Sequence, residues 1–192
     1  MTPENRRRLK RALALLCAVL CLTTARADDE HIDVRVEITD GLVTIDSSFL
    51  VKATPQEAWA VMTDYDRAVE FVSDLQTSRI LKREDNVLYV YQKGVTGFGP
   101  FSFPVELERK ILLTPFEKME SHMIRGTLKK QQGTTRLVPE GAGTRVTNRT
   151  ETVPDTWIPL VFGRLLVERE ARGKFRELRD EIMRRKNAAT TK

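Results

Sequence analysis

The sequence predicts an α+β domain in which a curved antiparallel sheet of about six to seven strands wraps one long C-terminal helix, with two short helices after the first long strand. Three observations carry this. Period-two segments separated by short turns run from Thr77 to Thr152. A helical period is sustained from about Pro159 to Arg185. Between the first alternating segment and the rest stands Thr54-Pro55-Gln56-Glu57, a capping box with proline at the first helical position.

The elements follow in order. Val43, Ile45, Ser47, Phe49, Val51 and Ala53 share one face of a long strand, with Thr44, Asp46, Ser48 and Lys52 opposite. A short strand around Ile32–Ile38 precedes it. The capping box opens a helix through Ala58, Trp59, Val61 and Met62, and Asp64-Tyr65-Asp66 interrupts it and caps a second short helix through Phe71 and Val72. Six strands come next: Thr77–Arg83, Val87–Lys93, Phe103–Leu113, Lys118–Arg125, Gln131–Val138 and Thr144–Thr152. Their breaks include Glu84-Asp85-Asn86, a Gly94–Pro100 loop and Pro139–Gly143. Consecutive strands with short turns imply a meander, not parallel crossovers. At the end, Ala171, Phe175, Leu178 and Ile182 trace one apolar stripe, with Phe162, Leu165 and Leu166 upstream. A helix of that length spans about 40 Å at 1.5 Å per residue, enough to cover the sheet.

Of 192 residues, 41% are hydrophobic and 31% charged, which excludes a disordered chain and a multi-span membrane protein. Residues 1–27 read as a secretory signal peptide: a basic start, the apolar run Ala12–Leu22, and Ala25-Arg26-Ala27 as cleavage site. The run is far below the roughly 20 residues that span a bilayer. Leu16 and Leu20 precede Cys17 and Cys21, which argues against lipidation. The expected organisation is a cleaved segment 1–27, one domain over 28–186 and a polar tail, 187–192. The mature product is then periplasmic or secreted. It has no cysteine, so thiol catalysis and thiolate metal ligation fall away. The net charge of +5 also belongs to the leader, because the remaining chain holds 26 basic and 26 acidic residues. The long-range attraction that nucleic-acid binding needs is absent, and no nucleic-acid partner is expected.

The text Phe49-Leu-Val-Lys-Ala-Thr-Pro-Gln-Glu-Ala-Trp-Ala-Val-Met-Thr-Asp-Tyr-Asp66 also resembles the START-like, helix-grip (SRPBCC) superfamily, in its polyketide cyclase and coenzyme-Q-binding branch. The likeness continues through Glu70-Phe71-Val72 and Ser78-Arg79-Ile80. It returns in Leu137–Arg145, Val153-Pro154 and Ile158-Pro159, covering roughly residues 43–183. The resemblance implies a hydrophobic cavity between sheet and helix. It further implies a small apolar ligand such as a lipid, quinone or polyketide-like molecule, or cyclisation or dehydration of one.

Catalytic candidates are sparse. No H-E-x-x-H, C-x-x-C, G-x-S-x-G, P-loop or G-x-G-x-x-G pattern occurs, so no metal, cofactor or nucleophilic residue is assigned. His122 alternates onto the face of Lys118 and Glu120, an exposed one. Asp64 and Asp66 read as caps, and Glu168 and Glu170 as a solvated helix face. For a cyclase, which needs an inward acid or base, the sequence offers Arg109, tyrosines such as Tyr89 and Tyr91, and carboxylates whose direction the pattern does not fix.

The predicted ligand-binding residues are Phe49, Val51, Leu107, Met123, Val146 and Asn148 from inward strand faces, and Phe162, Leu165 and Leu166 from the helix. Phe98, Phe101 and Phe103 join them from the Gly94–Pro104 loop, which offers a cavity lip or a transient membrane contact. Arg109 is the lone charge in the row Val105, Leu107, Arg109, Ile111, Leu113. It must meet an acidic side chain, a ligand head group or cavity water. Arg125 follows Met119, Ser121 and Met123 in the same way. Asn148-Arg149-Thr150 matches a glycosylation sequon by chance. The functional expectation is an exported carrier or sensor of a hydrophobic ligand, with a cyclase or dehydratase as the alternative. No oligomeric state follows from the sequence.

Overall fold

The computed structural model describes residues 31–98, 101–155 and 160–190, excepting the side chains at positions 97, 98, 101 and 160–162. The elements are β1 (Ile32–Thr39), β2 (Leu42–Val51), α1 (Pro55–Met62), a 3-10 helix (Tyr65–Glu70), β3 (Leu75–Glu84), β4 (Val87–Phe98), β5 (Phe101–Thr114), β6 (Lys118–Gly126), β7 (Leu128–Glu140), β8 (Gly143–Pro154) and α2 (Leu160–Thr190). The strands form one curved antiparallel sheet of 8 strands in the order β1-β2-β8-β7-β6-β5-β4-β3. The predicted class holds, with a higher strand count. Asp40 and Gly41 both adopt positive φ, forming a two-residue hairpin turn. That turn makes β1 a full partner of β2 from Ile32↔Phe49 to Thr39↔Leu42.

Alternation fixes what each strand buries. Phe49 and Val51 of β2 face Val146 and Thr144 of β8, and all four are essentially inaccessible. Leu88 and Val90 of β4, Ile111 of β5, Met119 of β6 and Leu137 of β7 continue this surface. From above, α2 supplies Ile182, Phe175, Leu178 and Met183, and α1 supplies Ala58 and Val61. The Phe49 and Phe175 rings meet at 6.1 Å. A second, smaller cluster joins Val36, Val43 and Val167.

α1 begins as expected. The Thr54 hydroxyl accepts from the Glu57 N–H (3.2 Å), and the Glu57 carboxylate accepts from the Thr54 N–H (2.7 Å). The two aspartates after it do something else. Asp64 stands at the start of the 3-10 helix without a side-chain capping bond, and pairs instead with Arg185 at 2.6 Å. Asp66 accepts from the Ile80 N–H at 2.7 Å. Each carboxylate ties this segment to a distant element, where a long-range partner outcompetes the local backbone.

Four further expectations are corrected. The Gly94–Pro104 stretch is not a loop: Gly94 pairs with Val105, and the ladder continues to Phe98↔Phe101, extending β4 and β5. Arg125 faces outward, because a register shift near Met123 lets Arg109 pair with Met123 but Glu108 with Arg125. Arg125 then bonds Glu108 at 2.6 Å. The C-terminal helix does not end near Arg185 but continues to Thr190. Finally, Leu165 is 78% exposed, because the inward line of α2 runs through Gly163, Val167 and Ala171. Two residues beyond Gly163, a side chain points about 200° away on a helix.

Candidate functional site

The lower part of the gripped space is closed core, and the upper part is hollow. Two adjoining cavities lie there, of about 310 Å³ and about 200 Å³, sharing Val72, Gln92, Arg109 and Gln131 as walls. The larger, outer lobe falls within the size range of small-molecule sites, about 300–1,000 Å³. Its apolar walls come from β2 (Val43, Ile45), the β4–β5 hairpin (Val95, Phe103, Val105, Leu107) and α2 (Val167). The inner lobe is more polar: Tyr65, Ser121, Thr135, Asn148 and Thr150 line it beside Met62, Ile111, Met119 and Leu178. Gly133 leaves part of this space open. A Cβ built there lies 3.1 Å from the Thr150 hydroxyl and 3.4 Å from that of Ser121.

Gly94 is required for a different reason. A Cβ at this position would sit 2.2 Å from the Asp74 carbonyl oxygen, which accepts from the Val95 N–H at 2.9 Å. This close approach seats Asp74 beside the outer lobe, where Lys174 of α2 pairs with it at 3.1 Å. Ser73 and Glu177, joined at 2.5 Å, make a second strap between the same segments.

Arg109 occupies the wall common to both lobes. One Nη2–H donates to the Gln92 side-chain oxygen, and the Gln92 amide in turn donates to Ser78 Oγ at 3.0 Å. Because a guanidinium can only donate, this chain fixes the orientation of the Gln92 amide. The Arg109 Nε–H and the Gln131 Oε1 are enclosed and have no hydrogen-bond partner among the described residues. Burial pushes the Arg109 pKa down and the Tyr65 pKa up, while the interaction between the two opposes both shifts. Burial is the larger effect and leaves Tyr65 a neutral phenol at ordinary pH, and a guanidinium keeps its proton in proteins.

Of the predicted ligand-binding residues, Phe103, Leu107, Arg109 and Asn148 line the lobes. Phe49, Val51 and Val146 belong to the closed core. Met123 shares the Arg109 face by register without lining either lobe, and Leu166 is half-buried on α2. Leu165 is outside altogether, as described. The side chains of Phe98, Phe101 and Phe162 lie outside the described residues, as do residues 1–27. Asn148 donates to Thr135 Oγ1 at 2.9 Å and accepts from Thr150 at 2.9 Å, so its amide is engaged inside the grip rather than offered to a glycosylating enzyme. Tyr89 and Tyr91 lie on the outer face, against Lys82 and Arg79, whereas Gln92 points inward. His122 is exposed as expected.

Sequence reasoning missed Tyr65, Gln92 and Gln131. For Gln92 the signal was present: it continues the inward series Leu88, Val90 and breaks its apolar character, as Arg109 does on β5. Gln131 was read only as a strand end, and the inward position of Tyr65 depends on the 3-10 helix.

The chain matches the family described as polyketide cyclase / dehydrase and lipid transport over residues 51–177. A comparison with curated proteins found no match. Among solved structures it is similar to the STAR-related lipid transfer protein fragment of Xanthomonas axonopodis (TM-score 0.65, 19% identity, covering 79% of this chain and 93% of that one). It is also similar to the ZhuI aromatase/cyclase from Streptomyces sp. R1128 (0.64, 16%, 77% and 98%). Human StAR-related lipid transfer protein 5 follows (0.60, 11%, 95% and 99%). At these identities the solved structures establish the shared fold, while the match over residues 51–177 places the chain in the polyketide cyclase / dehydrase and lipid transport family.

Proposed function

We propose that this chain is an exported carrier or sensor that holds one small hydrophobic ligand in the two-lobed cavity under α2. The observation that carries the reading is the cavity itself. Its outer lobe is walled mainly by aliphatic and aromatic side chains, and burial there contributes about 25 cal/mol per Å² of apolar ligand surface. The β4–β5 hairpin supplies several of these walls, and a transient membrane contact through the Gly94–Pro104 stretch would serve loading. The basic, apolar and A-x-A segments of residues 1–27 support export.

A second reading, a cyclase or dehydratase working in the same space, draws on Tyr65. It is a neutral phenol lining the inner lobe with its ionisation coupled to Arg109. Such an enzyme would use that hydroxyl to move a proton at a substrate oxygen, and would release an altered product.

One preparation tests the carrier reading. Protein expressed with its leader and recovered from the exported fraction should begin at Asp28. Organic extraction followed by mass spectrometry should release about one equivalent of a single apolar class, unchanged on reincubation with the protein. A chain retained at Met1, or a preparation with no stoichiometric extract, contradicts it.

A further inference from the structure

We infer that the ligand is an acidic amphiphile whose anionic head group pairs with Arg109 where the two lobes meet, its hydrocarbon part filling the outer lobe; this rests on the carrier reading above. Charge around the two lobes is unmatched. Three carboxylates border the lobes, and each already has a basic partner: Asp64 with Arg185 at 2.6 Å, Asp74 with Lys174 at 3.1 Å, and Asp155 with Lys129 at 3.7 Å. Among the described residues that line the lobes, Arg109 is the cation left over. Among the described residues its side chain bonds only to the neutral amide of Gln92.

The stretches outside the description between Ile32 and Thr190, namely Gly99-Pro100 and Thr156–Pro159, contain no Asp or Glu. Tyr65 cannot supply the negative charge, since burial holds it in the phenol form. An enclosed guanidinium with only a neutral partner is costly, and an incoming carboxylate or other oxyanion relieves that cost through charge-assisted bonds, beginning with the orphaned Nε–H. Gln131 borders the same place. Its side-chain oxygen has no partner among the described residues, so turning the amide over breaks no bond to that oxygen and presents its NH2 to the same anion. A neutral head group would gain hydrogen bonds but leave the charge unmatched, and a cationic one would add repulsion.

The test compares laurate, lauryl alcohol and laurylamine, which share one hydrocarbon body, for binding to delipidated full chain by calorimetry. Laurate should bind about tenfold to a hundredfold more tightly than lauryl alcohol, and laurylamine more weakly than either. Arg109→Gln should erase the preference of laurate over the alcohol, and Arg109→Lys should retain part of it. The comparison within the wild type needs no variant, so a misfolded Arg109→Gln does not rescue the inference. Equal binding of laurate and lauryl alcohol to the wild type overturns it and leaves the carrier reading standing. Failure of all three probes to bind overturns both.

Discussion

Phe49→Ala is expected to destabilise the fold by about 3–5 kcal/mol, whereas Leu165→Ala is expected to change it by less than about 0.5 kcal/mol. Both residues were legible as members of an inward apolar row, and only one of them is. Phe49 is 1% exposed and its ring packs at a tilt against Phe175 of α2, so its removal opens a hole between the sheet and the helix that covers it. Its neighbours Val51, Val146 and Ile182 are themselves buried in the same cluster, so filling that hole requires the core to repack. Leu165 points to solvent, and truncating it removes little buried area. Urea denaturation of the two variants reads the difference directly. Comparable midpoint shifts would show that the helix is rotated about its axis relative to the arrangement described here.

The second large effect is pH-dependent and concerns the opposite end of the helix. Glu181 is almost wholly buried and bonds Arg184 and Arg185 at 2.6 Å each, while Arg185 reaches on to Asp64 at 2.6 Å. The hydrogen bonds from Arg184 lead in holding the Glu181 carboxyl down to about 2, against an ordinary value of 4.5, with Arg185 adding to them. A carboxylate depressed in the folded state stabilises it above its unfolded pKa and loses that contribution as the pH falls through the folded value. Glu181→Gln should therefore cost about 1.5–3 kcal/mol at neutral pH. The gap between variant and wild type should narrow below about pH 4.5 and close near pH 2. A gap that stays constant from neutral pH down to pH 2 would mean that shape, not charge, makes residue 181 important.

Much of the fold was legible because it rests on local rules. The Thr54–Glu57 capping box, the period-two rows and the 171, 175, 178, 182 stripe each needed only near neighbours to be read. The errors arose where a single backbone event changes the phase of a pattern. The shift beside Met123 moved Arg125 to the outer face. At the start of α2, Gly163 carries the inward line, and glycine has no side chain to signal it. The glycines from Gly94 onward suggested a loop, yet Gly94 is there to admit the Asp74 carbonyl, and the ladder continues past it.

The site divides in the same way. Arg109 stood out as a charge in an apolar row, and its partners could not be known from the row. Gln92 lies diagonally across the ladder from Arg109, two residues along β4 from Val90, with which Arg109 pairs. Tyr65 arrives from the 3-10 helix, and Gln131 from the far side of the sheet, so their meeting is a product of sheet curvature and of Asp66 bonding Ile80. Phe49, Val51 and Val146 were read as cavity walls because alternation reports which face a residue is on, and does not report whether that face is filled. The filling comes from Phe175, Leu178 and Ile182, which reach the sheet at one end of the grip and leave its other end hollow.

The central claim is that the hollow end receives an apolar molecule, and blocking it is the direct test. Val105 projects into the outer lobe from β5, so Val105→Trp fills that lobe with an indole while leaving the closed core untouched. The measurement is a fluorescence titration of delipidated wild type and variant with anilinonaphthalene sulfonate, with thermal melts confirming that both are folded. The account predicts saturable, one-to-one binding to the wild type and at least about tenfold weaker binding to Val105→Trp, corresponding to about 1.4 kcal/mol or more. Equal binding by the two proteins, with the variant folded, would show that the lobe beneath α2 is not where the ligand goes.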